Sequence, residues 1–248
     1  MVVSVGLLGA VIGSFLNVVI HRLPRRESVV FPASRCTSCG VRIAPLDNVP
    51  ILSWLALGGR CRGCGEAISK RYPAVELLTA LLFTAVVLVR GFDADLVLEL
   101  PMMAMLVAVG GIDLEHRVIP NRILAPGAVL AVVVTAIVRP EQLAESLIAA
   151  TGALAFLLVA ALAYRGGMGM GDVKLAGVMG LYLGLSIVPA LAVAVLAGSL
   201  VGVAMIVRDG PAARKSGVPF GPFLALGGCT ALLAGPELIE LYTRTFLS

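Results

Sequence analysis

The sequence predicts an all-α protein: a polytopic membrane helix bundle of about eight transmembrane helices, with a small four-cysteine loop on one side. Three observations predict it. The 248 residues are 59% hydrophobic and 14% charged, where a soluble domain carries about 25% charge. Mean hydropathy is +1.00. Apolar runs of membrane-crossing length recur along the chain, broken by a single long hydrophilic stretch at residues 21–73. The net charge of +4 does not point to nucleic acid, and its distribution reads instead as a topology signal.

A crossing helix needs roughly 20 apolar residues, and shorter ones are tolerated. The candidate spans are 2–20, 74–89, 96–112, 123–138, 144–163, 173–187, 190–207 and 220–234. The first has no basic n-region and no clear small-residue cleavage site, so it reads as a retained span and not a signal peptide. Ser186 and Pro189 divide the sixth span from the seventh. The expected organisation is a first helix (1–20), a hydrophilic loop (21–73) that carries four cysteines, and a membrane body (74–248).

In this arrangement sixteen of the 19 Lys and Arg residues fall on one side. Only Arg90, Arg139 and Arg244 fall on the other. Basic loops stay in the cytoplasm, so the loop faces inward and both termini face outward. Asp113 closes a span that runs inward, and Asp172 opens one that runs outward. Both therefore reach the cytoplasmic face. An ionisable group at the edge of a span is costly to desolvate and marks a functional site by default. Two carboxylates at one depth suggest acid–base chemistry on a shared proton.

Either aspartate alone reads as a helix-end residue or an N-cap. The run Gly166-Gly167-Met168-Gly169-Met170-Gly171 before Asp172 favours a site. Gly169 and Gly171 remove side chains beside the carboxylate and let another backbone approach. Lys174 is placed to hold negative charge or a lipid head group. Asn17 shares its helix with Gly6, Gly9 and Gly13. That pattern suits close helix packing with a side-chain hydrogen bond, or contact with a substrate helix. Glu76 follows Pro73 at the start of the second span, where the helix dipole favours an anion; a site role is the alternative. His21 and His116 read as solvated or capping residues.

The loop carries Cys36-Thr37-Ser38-Cys39 and Cys61-Arg62-Gly63-Cys64. Two such pairs can close a four-thiolate zinc site, structural because no coordination position stays open. Two disulfides, four free thiols or a redox sensor are the alternatives, and a cytoplasmic loop disfavours disulfides. Cys229 reads as a packed core thiol.

Taken in order, these segments resemble the type IV prepilin peptidases, membrane aspartyl proteases with a Gly-x-Gly-Asp signature. The likeness runs through Gly13-Ser14-Phe15-Leu16-Asn17, the two Cys-x-x-Cys pairs and Arg71-Tyr72-Pro73-Ala74-Val75-Glu76. It continues through Ile112-Asp113, Ile119-Pro120-Asn121, Gly169-Met170-Gly171-Asp172-Val173-Lys174 and Val218-Pro219-Phe220-Gly221-Pro222-Phe223. The resemblance implies catalytic roles for Asp113 and Asp172, and zinc ligation by Cys36, Cys39, Cys61 and Cys64. It implies a bacterial cytoplasmic (inner) membrane location and removal of a short basic leader from prepilin or pseudopilin precursors, after a glycine. It further implies methylation of the new amine from S-adenosylmethionine, as in many members. No Gly-rich nucleotide-binding fingerprint of the soluble type is present, so methyl transfer rests on the resemblance. Glu76 is the candidate residue for it. Lipid is the expected surrounding, and Glu66, Glu76, Glu115 or anionic lipid would offset the basic loop's repulsion of a basic leader. Two rival classes are an ion-translocating protein using the aspartates, in which a four-cysteine loop has no place, and a non-catalytic zinc-sensing membrane protein.

Overall fold

A computed structural model describes residues 1–163, 168–210 and 218–246. Arg165, Gly166, Gly167, Arg214 and Lys215 lie outside the described residues. The chain forms two compact units, Met1–Gly91 and Phe92–Ser248.

In the first unit, α1 (Val2–Arg22) lies against α3 (Arg71–Arg90), with the short α2 (Leu52–Ala56) in the loop between them. The glycines of α1 set the closeness of this pair. A Cβ on Gly9 would sit 2.8 Å from the Ala80 Cα, and one on Gly13 would sit 2.7 Å from the Glu76 Cα. Gly6 faces Thr84, so the partners on α3 descend as α1 ascends and the helices are antiparallel. Small residues at this spacing let two backbones touch without a hydrophobic driving force between them.

In the second unit, α4 (Leu96–His116) is the centre; 72% of its apolar window is buried. It packs against α9 (Gly221–Phe246), α5 (Asn121–Val138) and α7 (Met170–Leu183). Around it, α6 (Leu143–Ala163) lies along α7, and α8 (Ile187–Asp209) lies along α9. Large apolar residues on the outer faces, such as Val133, Ile148, Val159, Leu196 and Val203, stay exposed. That is the pattern of helices solvated by lipid.

Among the described residues seven segments are long and apolar enough to cross a membrane, one of them the 40-residue stretch Met170–Asp209. As one helix it would span about 60 Å, twice the roughly 30 Å hydrocarbon core. It breaks at a 3-10 turn, Gly184–Ser186, into α7 and α8, so the expected division of this stretch holds. Gly184 has φ +53°, and the N–H of Leu185 donates to Glu145 Oε1 at 3.0 Å. Pro189 falls in the first turn of α8, where its missing N–H costs no helical bond.

Candidate active site

Asp113 sits near the end of α4 and is buried. Its Oδ2 accepts the backbone N–H of Gly221 at 2.9 Å, across 108 residues of chain. Gly221 opens α9, so the carboxylate meets a helix N-terminus, whose free N–H groups and dipole favour an anion. A Cβ on Gly221 would stand 2.7 Å from Asp113 Oδ2, so only glycine permits this approach. Arg117 lies within electrostatic reach of Asp113. It ends α4 in the left-handed region, φ +54°.

Asp172 sits in the first turn of α7 and is also buried. Its Oδ2 accepts the Gly169 N–H at 3.2 Å, reaching back over the helix start. Its Oδ1 is buried without a hydrogen-bond partner among the described residues. Asp172 feels the charge of Asp113; α4 and α7 bring the two carboxylates together as the spans suggest. What remains is a pair of acids, each steadied through one oxygen by a backbone N–H, with an oxygen of Asp172 unused.

The neighbouring residues fall partly as expected. A Cβ on Gly171 would sit 2.8 Å from the Ile119 Cβ. The room at Gly171 is thus filled by a side chain from the segment after α4, not left for another backbone. Gly169 does leave space beside the carboxylate, since its Cβ would approach Asp172 Oδ2 to 3.2 Å. Lys174 Nζ donates to Asn121 Oδ1 at 3.2 Å, tying α7 to the start of α5. From the sequence, Ile119 and Gly221 entered only within the quoted motifs and Arg117 only as a basic loop residue; none was given a site role. The Pro219-Phe220-Gly221-Pro222 run, a helix-start signal, was the available clue to Gly221.

In the first unit, Asn17 is buried, and its Nδ2 donates to the Tyr72 carbonyl at 3.0 Å. That places it in α1–α3 packing. Glu76 is buried too. The N–H of Ile51 donates to its Oε2 at 2.7 Å, and the Ser14 hydroxyl also donates to it. Ile51 takes φ +62°, unusual for a β-branched residue, and this hydrogen bond holds it there.

The four loop cysteines are free of disulfides, and their sulfurs all lie within 4.8 Å of one another. Cys36 Sγ and Cys64 Sγ are 3.9 Å apart. Tetrahedral coordination with metal–sulfur bonds near 2.3 Å sets sulfurs about 3.8 Å apart. The cluster therefore fits a metal ion. The two halves are alike. Cys36 N–H donates to Val41 O and Gly40 N–H to Cys36 O; Cys61 N–H donates to Glu66 O and Gly65 N–H to Cys61 O. Gly40 and Gly65 have φ +71° and +74°, which glycine adopts without strain. Backbone N–H groups of Cys39 and Ser38 aimed at Cys36 bring its thiol down to about 6. The Glu66 N–H pulls the same way on Cys64, but proton sharing with Cys39, Cys61 and Cys36 together with desolvation wins and pushes it up to about 12. A divalent ion would remove that conflict by taking all four as thiolates. Arg62 grips Asp47 with both oxygens engaged, Nη2 to Oδ1 at 2.7 Å. This grip holds the Asp47 carboxyl below the usual carboxylate range.

Residues 7–90 match the family model of the bacterial peptidase A24 N-terminal domain, and residues 100–207 match that of the type IV leader peptidase family. The chain is 39% identical over 215 residues to the prepilin leader peptidase/N-methyltransferase of Myxococcus xanthus, covering 84% of this chain and 64% of that protein. It is 37% identical over 270 residues to the protein of the same description in Pseudomonas aeruginosa, covering 97% and 91%. With that of Bacillus subtilis it shares 34% over 242 residues, covering 97% of both. No solved structure matches the chain significantly.

Proposed function

The chain belongs to the type IV leader peptidase family, and from that premise we propose that it is a membrane aspartyl endopeptidase. It removes the basic leader from prepilin or pseudopilin precursors at the cytoplasmic face and then methylates the new N-terminus. The observation that carries the peptidase reading is the buried Asp113–Asp172 pair, with one oxygen of Asp172 unengaged. Two close carboxylates share one proton. The protonated acid hydrogen-bonds the scissile carbonyl oxygen, while the ionised one takes a proton from water. The water oxygen bonds to the carbonyl carbon and forms a tetrahedral intermediate. That intermediate collapses as the leaving nitrogen gains a proton, so no acyl-enzyme forms. The pair titrates as a unit.

Cys36, Cys39, Cys61 and Cys64 would hold one zinc ion, which would supply a structural cross-link and leave no open coordination position. The first helix, the cysteine loop and the membrane body divide as residues 1–20, 21–73 and 74–248. The excess of Lys and Arg in residues 21–73 supports a cytoplasmic loop in a bacterial inner membrane protein. Lys174 and the basic loop meet lipid head groups at that face. The relatives' shared description supports methyl transfer, with S-adenosylmethionine as donor.

The test is incubation of the purified chain with a prepilin-like substrate whose leader ends in glycine, followed by mass spectrometry with and without S-adenosylmethionine. A shortened product carrying one added methyl group is expected. An intact substrate would refute the peptidase reading, and a shortened but unmethylated product would confine the function to proteolysis.

A further inference from the structure

The chain leaves α4 through residues 117–120 and enters α5 at Asn121. This short connection is tied to both helices that carry the acids. At one end the Arg117 N–H donates to the Asp113 carbonyl at 2.9 Å. At the other, Asn121 Oδ1 accepts from Lys174 Nζ at 3.2 Å, and Lys174 stands two residues past Asp172 on α7. Between these ties Ile119 lies against the first turn of α7. The point a Cβ would occupy at Gly171, the residue before Asp172, is 2.8 Å from the Ile119 Cβ, 3.4 Å from its Cγ1 and 3.5 Å from its Cδ1.

Ile119 has little freedom to move aside. A β-branched side chain is stiff at χ1, and the residue before a proline is held out of the helical region. Pro120 caps α5 with φ −74° and ψ 126°, and its carbonyl accepts the Ile123 N–H at 3.0 Å. A fixed apolar wall therefore stands beside Asp172, at the end of the helix that carries Asp113. The backbone next to it is open. The N–H groups of Val118 and Ile119 enter no backbone hydrogen bond among the described residues, and Val118 is exposed. An extended chain laid alongside can take these groups as it would take those of a strand edge.

A peptide bond must be extended where two acids act on it, because a helical carbonyl is already engaged by the N–H four residues on. In the topology proposed above, α4 runs toward the cytoplasmic face, so residues 117–120 lie on the cytoplasmic side of Asp113. The leader lies on the cytoplasmic side of the bond to be cut, and the rest of the substrate on the membrane side. The substrate residue that meets Ile119 is thus the last of the leader. Resting on the peptidase reading, we propose that Ile119 determines what the substrate carries immediately before the cut. With its side chain seated on Gly171, it leaves room there for a glycine and for no Cβ. Neither aspartate has a means to make that choice: each acts on the scissile carbonyl or on water and touches no substrate side chain. One carbon more or less against an apolar wall changes discrimination by about 10- to 200-fold.

The experiment measures kcat/KM of the purified full chain on two prepilin-like substrates that differ only in the last leader residue, glycine or alanine. Wild type should favour glycine at least about 100-fold. Ile119→Ala should cut that ratio at least about tenfold, by opening the wall to the alanine methyl. Ile119→Val should fall between the two. It keeps the β-branch, so it carries the test where the alanine variant loses its packing against α7. An unchanged ratio in the Ile119 variants would overturn the proposal and make Ile119 a packing residue, whatever happens to the overall rate. Equal cleavage of both substrates by the wild type would overturn it too, with the peptidase reading intact. Cleavage of neither substrate by the wild type would refute the peptidase reading itself, and the role of Ile119 with it.

Discussion

Glu76 in the N-terminal unit and Asp172 in the C-terminal unit are both buried carboxylates near the start of an apolar helix, yet they are satisfied differently. Glu76 accepts from Ile51 and Ser14. Asp172 accepts from Gly169 alone, and its other oxygen is buried without a partner. Leaving a buried acceptor unpaired costs about 1–3 kcal/mol, so folding alone does not favour the arrangement. Glu76 stitches a loop to a helix. Asp172 keeps an oxygen free beside a second acid, which is what a reacting group requires. Burial does not separate the two; hydrogen-bond partners do.

The contrast breaks most sharply at the aspartates. Asp113→Asn or Asp172→Asn should lower prepilin cleavage at least about 1,000-fold, measured by product mass spectrometry, with the protein still folded in the membrane. Near-normal turnover from either variant would end the pairing. Gly221→Ala should cost about 10- to 100-fold in kcat, because a Cβ 2.7 Å from Asp113 Oδ2 displaces the carboxylate and such misplacement is expensive. Wild-type kinetics would show that the Gly221 N–H does not position Asp113.

On the other side of the comparison, Cys36→Ser or Cys64→Ser should take the zinc content from about one per chain to none and expose residues 29–50 to protease. Cleavage should fall only through the loosened loop. Zinc retained in both variants would remove the four-thiolate site. The smallest effect concerns Asp47. Arg62 holds its carboxyl below the usual range, so its contribution is present above about pH 4 and is lost as the pH falls through the folded value. Hydrogen exchange at Val49 and Ile51 should be faster in Asp47→Asn than in wild type near pH 6, with the difference closing as the pH falls through the folded value. A difference that persists in acid would assign the effect to packing and not to the ion pair.

The membrane helices were legible because apolar length is a property of one segment at a time. The aspartates were legible because charge at the end of such a segment stands out, and the cysteines because both halves of their site carry the same short spacing. The partners were not legible. Gly221 meets Asp113 across 108 residues, Ile119 fills the space at Gly171, and Ile51 answers Glu76. A hydrophobic pattern tells which face of a helix is covered, not what covers it. The break at Gly184–Ser186 was marked within three residues by Ser186 and Pro189, while the glutamate that satisfies it, Glu145, lies on another helix.

The likeness of the two cysteine turns has a statistical-mechanical consequence. Each turn presents two sulfurs, half a tetrahedron, so neither retains an ion by itself. Binding must draw residues 36–40 and 61–65 together and close the chain between them, and the entropy of closure grows only as the logarithm of the loop length. The ion therefore sees either a finished site or almost none. Its binding isotherm becomes a thermometer for the folding of the loop: whatever steadies residues 41–60 from a distance must by linkage tighten the grip on the metal.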